Sequence, residues 1–273
     1  AVKVHSGEKG NQNYLRPEFL KPMIEHVGGT VVECNTAYDG QRNTTEKHKK
    51  LIYAHGWTKY FDVDIMDAEG PDITLHIPGG KVLKENLVGK NIKNYDSMLV
   101  LTHFKGHPMG GYGGALKNIS IGLASSYGKA YIHGAGVAEN IWTADHDQFL
   151  ESMADAAKSI LDYEKENIAF INVMCNMSVD CDCCAKAEDP KVRDIGILSS
   201  LDPVALDQAC ADACLNATPI ANSQLGEHLA EPGWHCHHDH FKDSNPNIEW
   251  KATLDQAEKI GLGTREYELK RIK

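Results

Sequence analysis

The chain has 273 residues, 42% of them hydrophobic, and its 28 basic against 38 acidic side chains give a formal charge of −10. That length holds one large or two modest domains with a substantial core. The negative balance repels nucleic-acid phosphates and anionic membrane surfaces, no basic patch exceeds His48-Lys49-Lys50, and no apolar run approaches the ~18 residues of a membrane span. Neither nucleic acid nor membrane is therefore an expected partner.

The chain opens without methionine on a strand-like Ala1-Val2-Lys3-Val4-His5, which reads as a processed or truncated start. A glycine-punctuated polar loop follows to Asn11. Arg16-Pro17-Glu18 then opens a helix, with Phe19, Met23 and Val27 at helical spacing and Gly28-Gly29 as its stop. Thr30 to Cys34 reads as the next strand, and Thr44-Thr45-Glu46 starts a helical segment through His55. This β-α-β-α rhythm predicts an α/β fold, a mostly parallel sheet with helices on both faces. Residues 61–94 break the rhythm with short alternating pieces, Val63 to Met66 and Thr74 to Ile77, split by Gly70-Pro71 and Pro78-Gly79-Gly80; a hairpin or small strand insertion fits there.

The apolar run Ser97 to Leu101 has strand length and ends at His103, Lys105 and His107, after which Gly110, Gly111, Gly113 and Gly114 lead into Ala115-Leu116-Lys117-Asn118. Ligands in open α/β sheets bind beyond the carboxyl ends of strands, where glycines let a backbone approach closely. His103, Lys105 and His107 are two apart, share a face if the chain stays extended past the strand, and are the expected reactive centre. Gly106 threatens that alignment. The four glycines with Lys117 and Asn118 form an expected anion cradle, in which free N–H groups at a helix start favour phosphate or carboxylate. The pattern is not G-x-x-x-x-G-K-[ST], so nucleotide binding is not implied. The plainer reading is a tight turn flanked by solvated histidines.

Asp145-His146-Asp147 caps a helix with Phe149, Met153, Ala157, Ile160 and Leu161 on one face, and Ile168 to Val173 reads as a strand buried on both faces. It delivers the chain to Asp180-Cys181-Asp182-Cys183-Cys184. The eight cysteines lack the dense spacing of a secreted disulfide scaffold and read mostly as reduced, consistent with a cytoplasmic protein. Cys34, at a strand end, and Cys210 and Cys214, on a helix capped by Asp202-Pro203, read as core. Cys181, Cys183 and Cys184 are candidate ligands of a metal ion or iron–sulfur cluster, the alternative being buried or redox-paired thiols. The acidic neighbours Asp180 and Asp182 raise a thiol pKa, which argues against a free nucleophilic cysteine. Trp234-His235-Cys236-His237-His238-Asp239-His240 is a second dense run of ligand types, either an exposed loop or a ligand set. Ile195 to Leu198 reads as another short strand, and the last third is irregular, closing on a helix from Thr253 to Lys259 stopped by Gly261 and on a basic tail, Lys270 to Lys273. No linker or repeat marks a boundary, so residues 1–273 are expected to form a single α/β domain.

The opening VKVHSGEKGNQNYLRP, the segment HFKGHPMGGYGGALKN, the CDCC cluster and DIGILSSLDPVALDQAC occur in this order. With them the sequence resembles the uncharacterised bacterial and archaeal "iron–sulfur centre protein" family, a domain of unknown function. The resemblance covers most of residues 1–216 and Gly261-Leu262-Gly263. Many members carry a further N-terminal lead and a ferredoxin-like insert after the segment matching Gly128 to His133. Here residues 134–144 contain no cysteine, so an iron–sulfur label rests on the CDCC cluster alone.

Two functions compete. One is a redox or metal-dependent enzyme, a metal- or iron–sulfur-dependent oxidoreductase, joining the anion loop to a cysteine/histidine centre and acting on a small anionic substrate with a redox partner protein. The other is a non-catalytic carrier of a metal, cluster or anionic cofactor. No G-x-S-x-G elbow or triad supports metal-free hydrolysis.

Overall fold

The computed structural model describes residues 1–272, and the last residue of the basic tail, Lys273, lies outside them. Ten strands form: β1 (Val2–Lys3), β2 (Val31–Glu33), β3 (Val63–Ile65), β4 (Ile73–His76), β5 (Glu85–Val88), β6 (Met98–His103), β7 (Lys105–His107), β8 (Gly111–Gly113), β9 (Ile168–Met174) and β10 (Gly196–Ser200). Six build one sheet in the order β10-β9-β6-β1-β2-β3. All its neighbours run parallel except β10 with β9, which are antiparallel. The chain moves outward from β1 to β3, then returns to lay β6 on the other side of β1, so strand order reverses between β1 and β6. In a doubly wound sheet that reversal opens a crevice at the carboxyl ends of the strands.

Helices α1 (Pro17–Val27) and α2 (Thr45–Ala54) lie on one side of the sheet. Those most concerned with the other are α3 (Ala115–Ser120), α4 (Ser126–His133), α5 (His146–Glu164) and α6 (Pro203–Leu215). Strand alternation divides the core accordingly. Val2, Val31, Leu101 and Val173 pack with Leu20, Ile24 and Ile52, whereas Val32, Val100 and Phe170 pack with Leu116, Ile160 and Leu206. Short helices α7 (Gln224–Ala230), α8 (His240–Ser244) and α9 (Ala252–Lys259) close a last third that is more ordered than its composition suggests.

The caps follow the sequence. Thr44 accepts from Lys47 N, Asp145 from Gln148 N, and Asp202 from Val204 N and Ala205 N ahead of Pro203. Gly28 ends α1 in the left-handed region, at φ 62°.

Several expectations are refined. In α1 the buried residues are Pro17, Leu20 and Ile24, while Phe19 and Val27 are about half exposed; a regular i, i+4, i+8 spacing marks a stripe without saying which stripe meets the sheet. The strand insertion expected in residues 61–94 is present, built from pieces, Val63 to Met66 and Thr74 to Ile77, that do not pair with each other. Val63–Ile65 joins the main sheet as its far edge, and β4 and β5 form a separate hairpin. The glycine-rich stretch after β6 is not an open loop but a hairpin, with Lys105 opposite Gly113 and His107 opposite Gly111. β9 is buried on only one face along its first half, Ala169 and Ile171 being half-buried.

Candidate functional site: a cysteine and histidine cluster beside a basic cavity

A cavity of about 50 Å³ sits at the reversal point, with Lys3 and His5 from the end of β1, Glu33 and Cys34 from β2, and Thr102, His103 and Lys105 from the end of β6. Such a volume admits roughly three water molecules or a small ion. The hairpin adds Gly113 and Gly114, α3 adds Lys117 and Asn118, and Tyr38, Arg42, Lys129 and Cys183 are also in the wall. Asn118 is fixed by donating Nδ2 to Thr102 Oγ1 at 3.0 Å, which ties α3 to the end of β6.

The line of alternate residues past β6 survives Gly106. Gly106 N donates to Ser178 O, and a Cβ at 106 would fall on the carbonyl oxygens of Ser178 and Val179, so glycine is what lets the 178–184 segment run alongside. That segment brings Asp182 to the site. His103 Nδ1 lies 2.9 Å from both Asp182 oxygens and its Nε2 2.6 Å from Cys175 O, while Lys105 Nζ is 3.4 Å from Asp182 Oδ2. Both His103 nitrogens are thus committed to acceptors inside the protein, and the ring has none left for a ligand or a proton shuttle. In this arrangement the His103 ring braces Asp182 against the end of β9. Burial pushes the Asp182 carboxyl up, but His103 and Lys105 outweigh it and hold the group well below its ordinary value. Burial pulls the Lys105 ammonium down, and Asp182 with the nearby thiols reverses this and raises it.

His107 differs. Its Nδ1 accepts from Gly110 N at 2.9 Å and Met109 N at 3.2 Å, which leaves Nε2 for the cysteines. His107, Cys181 and Cys183 each offer one ligand atom, all within 4.8 Å of one another, and they are the one group of three or more such residues among the described residues. Cys184 is outside it. Asp182 is paired with His103 and Lys105, and at the Cys181 thiol the acidic neighbours are outweighed. The Cys183 thiol donates to it and, against burial, Lys117, Lys105 and His107 add positive charge, so it falls well below the usual range; Cys183 rises in exchange. Burial and the Lys117 charge keep His107 below its ordinary value.

Of the expected anion cradle, Gly113, Gly114, Lys117 and Asn118 line the cavity, but the N–H groups at the start of α3 are not free. Asp207 of α6 accepts from Ala115 N at 2.7 Å and Leu116 N at 3.0 Å, and Asn172 Nδ2 reaches it at 2.8 Å. A protein carboxylate already fills the helix start. Gly110 and Gly111 serve other ends: one supplies an N–H to His107, and the other, at φ 75°, abuts Trp250. Gly113 is different, since a Cβ there would lie 3.4 Å from Lys117 Cδ and 3.7 Å from Lys105 Nζ, directly between the two lysines.

Several site residues carry no motif. Glu33 bonds Lys3 Nζ at 2.8 Å and Ser6 N at 2.7 Å, and despite burial its carboxyl is held well below the ordinary range by Lys3, His5 and His48. Arg42 Nε pairs with Glu8 at 3.3 Å, with both side chains buried. The opening polar loop clamps the cysteine segment: Glu8 N donates to Asp182 O, Asn11 Nδ2 to Cys184 O and Asn13 Nδ2 to Glu188 O. The Asn11-Gln12-Asn13 run after Gly10 was the available signal.

The other histidine run is held by carboxylates. Asp243 accepts from His237 N and Asp239 N, and Asp239 caps α8 and takes the Trp250 indole N–H at 2.9 Å. Cys34, Cys210 and Cys214 are buried as expected.

A doubly wound sheet with a buried cysteine and histidine group beside a basic cavity at its reversal point defines the class as an α/β protein with a candidate metal centre. The chain belongs to the DUF362 family, described as a domain of unknown function, whose pattern matches residues 1–212. No curated protein matches the sequence. Among solved structures the chain is similar to the lactate racemase apoprotein from Thermoanaerobacterium thermosaccharolyticum, with 16% identity and a TM-score of 0.41, covering 63% of this chain and 41% of that one. The chain thus spans about two fifths of that protein's length. No helix is long and apolar enough to cross a membrane among the described residues.

Proposed function

We propose that Cys181, Cys183 and His107 hold a soft transition-metal ion and that the chain is an enzyme acting on a small anionic substrate in the adjoining cavity. The observation that carries this reading is the convergence of the three ligand atoms within 4.8 Å, with His107 and Cys181 buried and Cys183 half-buried on the wall it shares with Lys105 and Lys117. Two thiolates and an imidazole suit zinc, copper or iron, and three protein ligands leave a fourth position open, as catalytic metal sites do. A cubane iron–sulfur cluster takes four cysteines. With Cys184 outside the group, a single ion is the better fit. The ion would supply Lewis acidity or a redox couple, the latter with a partner protein as electron source. Lys105 and Lys117 would attract and orient the substrate, and the burial of the site would keep water out.

A second reading, in which Cys181 works as a metal-free thiolate, is favoured by His107. Its Nδ1 faces two N–H donors, so in the neutral ring the proton sits on Nε2, where it stabilises a thiolate rather than meeting an ion. Elemental analysis of anaerobically purified protein, before and after chelation, separates the two. Metal near one ion per chain supports the first reading. Absence of metal together with rapid alkylation of Cys181 at neutral pH supports the second and defeats the first.

A further inference from the structure

Arg42 is almost fully buried, at 3% exposure, and two of its guanidinium nitrogens are engaged: Nε with Glu8 and Nη1 with His5 Nε2 at 3.2 Å. The third, Nη2, is buried with no hydrogen-bond partner, and Arg42 forms part of the cavity wall. A buried donor left unpaired is costly, and a cation's donor more so. Across the same cavity Lys117 makes no ion pair or side-chain hydrogen bond to any described residue, although its neighbours are matched: Lys3 with Glu33, Arg42 with Glu8, and Lys105 with Asp182.

The unused donors point to the class of ligand. Of the lining lysines, Lys117 and Lys129 pair with no carboxylate, and the Lys129 ammonium is occupied by donating to Ala124 O at 2.6 Å. An ammonium without a protein carboxylate and a vacant guanidinium N–H call for a small anion with two acceptor oxygens. A cavity of about 50 Å³ brings a small occupant against both walls. Gly113 keeps that space open, because a side chain there would enter it between Lys105 and Lys117.

We propose that the cavity is a carboxylate site, in which one oxygen of a small monocarboxylate accepts from Arg42 Nη2 and the other from the Lys117 ammonium. It names the substrate class for the function proposed above and rests on that reading only for the chemistry that follows binding; the carboxylate site stands without a metal.

The test is isothermal titration of the full chain, purified in chloride buffer and measured with and without prior chelation, using acetate and inorganic phosphate as probes. Acetate is expected to bind one per chain, more tightly than phosphate, and to do so after chelation as well. Lys117→Met is expected to weaken acetate by about tenfold to a hundredfold, the loss of one charge-assisted hydrogen bond. Arg42→Lys, which keeps a cation beside Glu8 but removes the spare N–H, is expected to act in the same direction. If Arg42→Lys fails to fold, Lys117→Met and Gly113→Val remain to decide. No acetate binding by the wild type, tighter binding of phosphate, or unchanged acetate affinity in the folded variants overturns the proposal. Metal found without acetate binding removes this inference alone, and acetate binding without metal removes the metal reading alone.

Discussion

Replacing Asp182 by Asn leaves the Lys105 ammonium and the His103 ring buried without their carboxylate. The expected loss is about 3–5 kcal/mol, the cost of breaking one side of a buried charge pair, and urea unfolding of the two proteins at pH 7 measures it. The sign of the pH dependence follows from the lowered pKa. Asp182 contributes fully above its unfolded value and loses that contribution as pH falls through its lower folded value, so the gap between wild type and D182N narrows below about pH 4. A gap that stays constant from pH 7 to pH 3 would mean that Asp182 is not paired in this way. This residue also shows where sequence reading stops. Asp180-Cys181-Asp182 suggests a carboxylate repelling a thiolate, but the turn at Asp182 and Cys183 brings Asp182 to His103 and Lys105, partners about eighty positions earlier. No local pattern carries that information, nor does any mark Arg42 or Glu33.

At the scale of elements, two glycines of one hairpin have opposite duties. Gly106→Ala places a methyl on the carbonyl groups of Ser178 and Val179 and is expected to cost about 1–3 kcal/mol through backbone displacement. At Gly113 the neighbours are ordinary van der Waals distances away, the nearest 3.4 Å, so Gly113→Ala is expected to leave the melting temperature within a few degrees while weakening anion binding. A thermal melt of each variant checks the contrast, and equal destabilisation would contradict it. The start of α3 yields a third expectation. Burial lifts the Asp207 carboxyl to about 6 even though Leu116 N, Asn172 and Ala115 N donate to it. A raised pKa stabilises the fold fully below the unfolded value and is lost as pH rises through the folded one, so wild type should lose about 3 kcal/mol relative to Asp207→Asn between pH 4 and pH 6. Stability curves of the pair across that interval decide it. Strand β6, the caps Thr44, Asp145 and Asp202, and helix α5 were legible because periodicity and capping are local. The α3 start was legible as a helix N-terminus but not as one already occupied, since Asp207 arrives from another helix.

For the whole molecule, the site's position follows from strand order: β1 and β6 are neighbours although nearly a hundred residues apart, and the opening loop after β1 meets the hairpin after β6 there. The β-α-β-α rhythm predicted the parallel sheet and placed residues 102–114 at a carboxyl edge, but not which strands are neighbours, so Lys3, His5 and Glu33 went unseen as site residues. The same crossing brings Cys181 and Cys183 to His107 from separate segments. That convergence is the centre of the account, and the most direct measurement is the metal content of the chain prepared anaerobically, read by elemental analysis with a visible spectrum, in wild type and in the Cys181→Ser, Cys183→Ser double variant. About one metal ion per chain is expected in wild type, with its loss in the variant and the fold retained; a metal-free wild type, or full metal retention in the double variant, would rule out this centre.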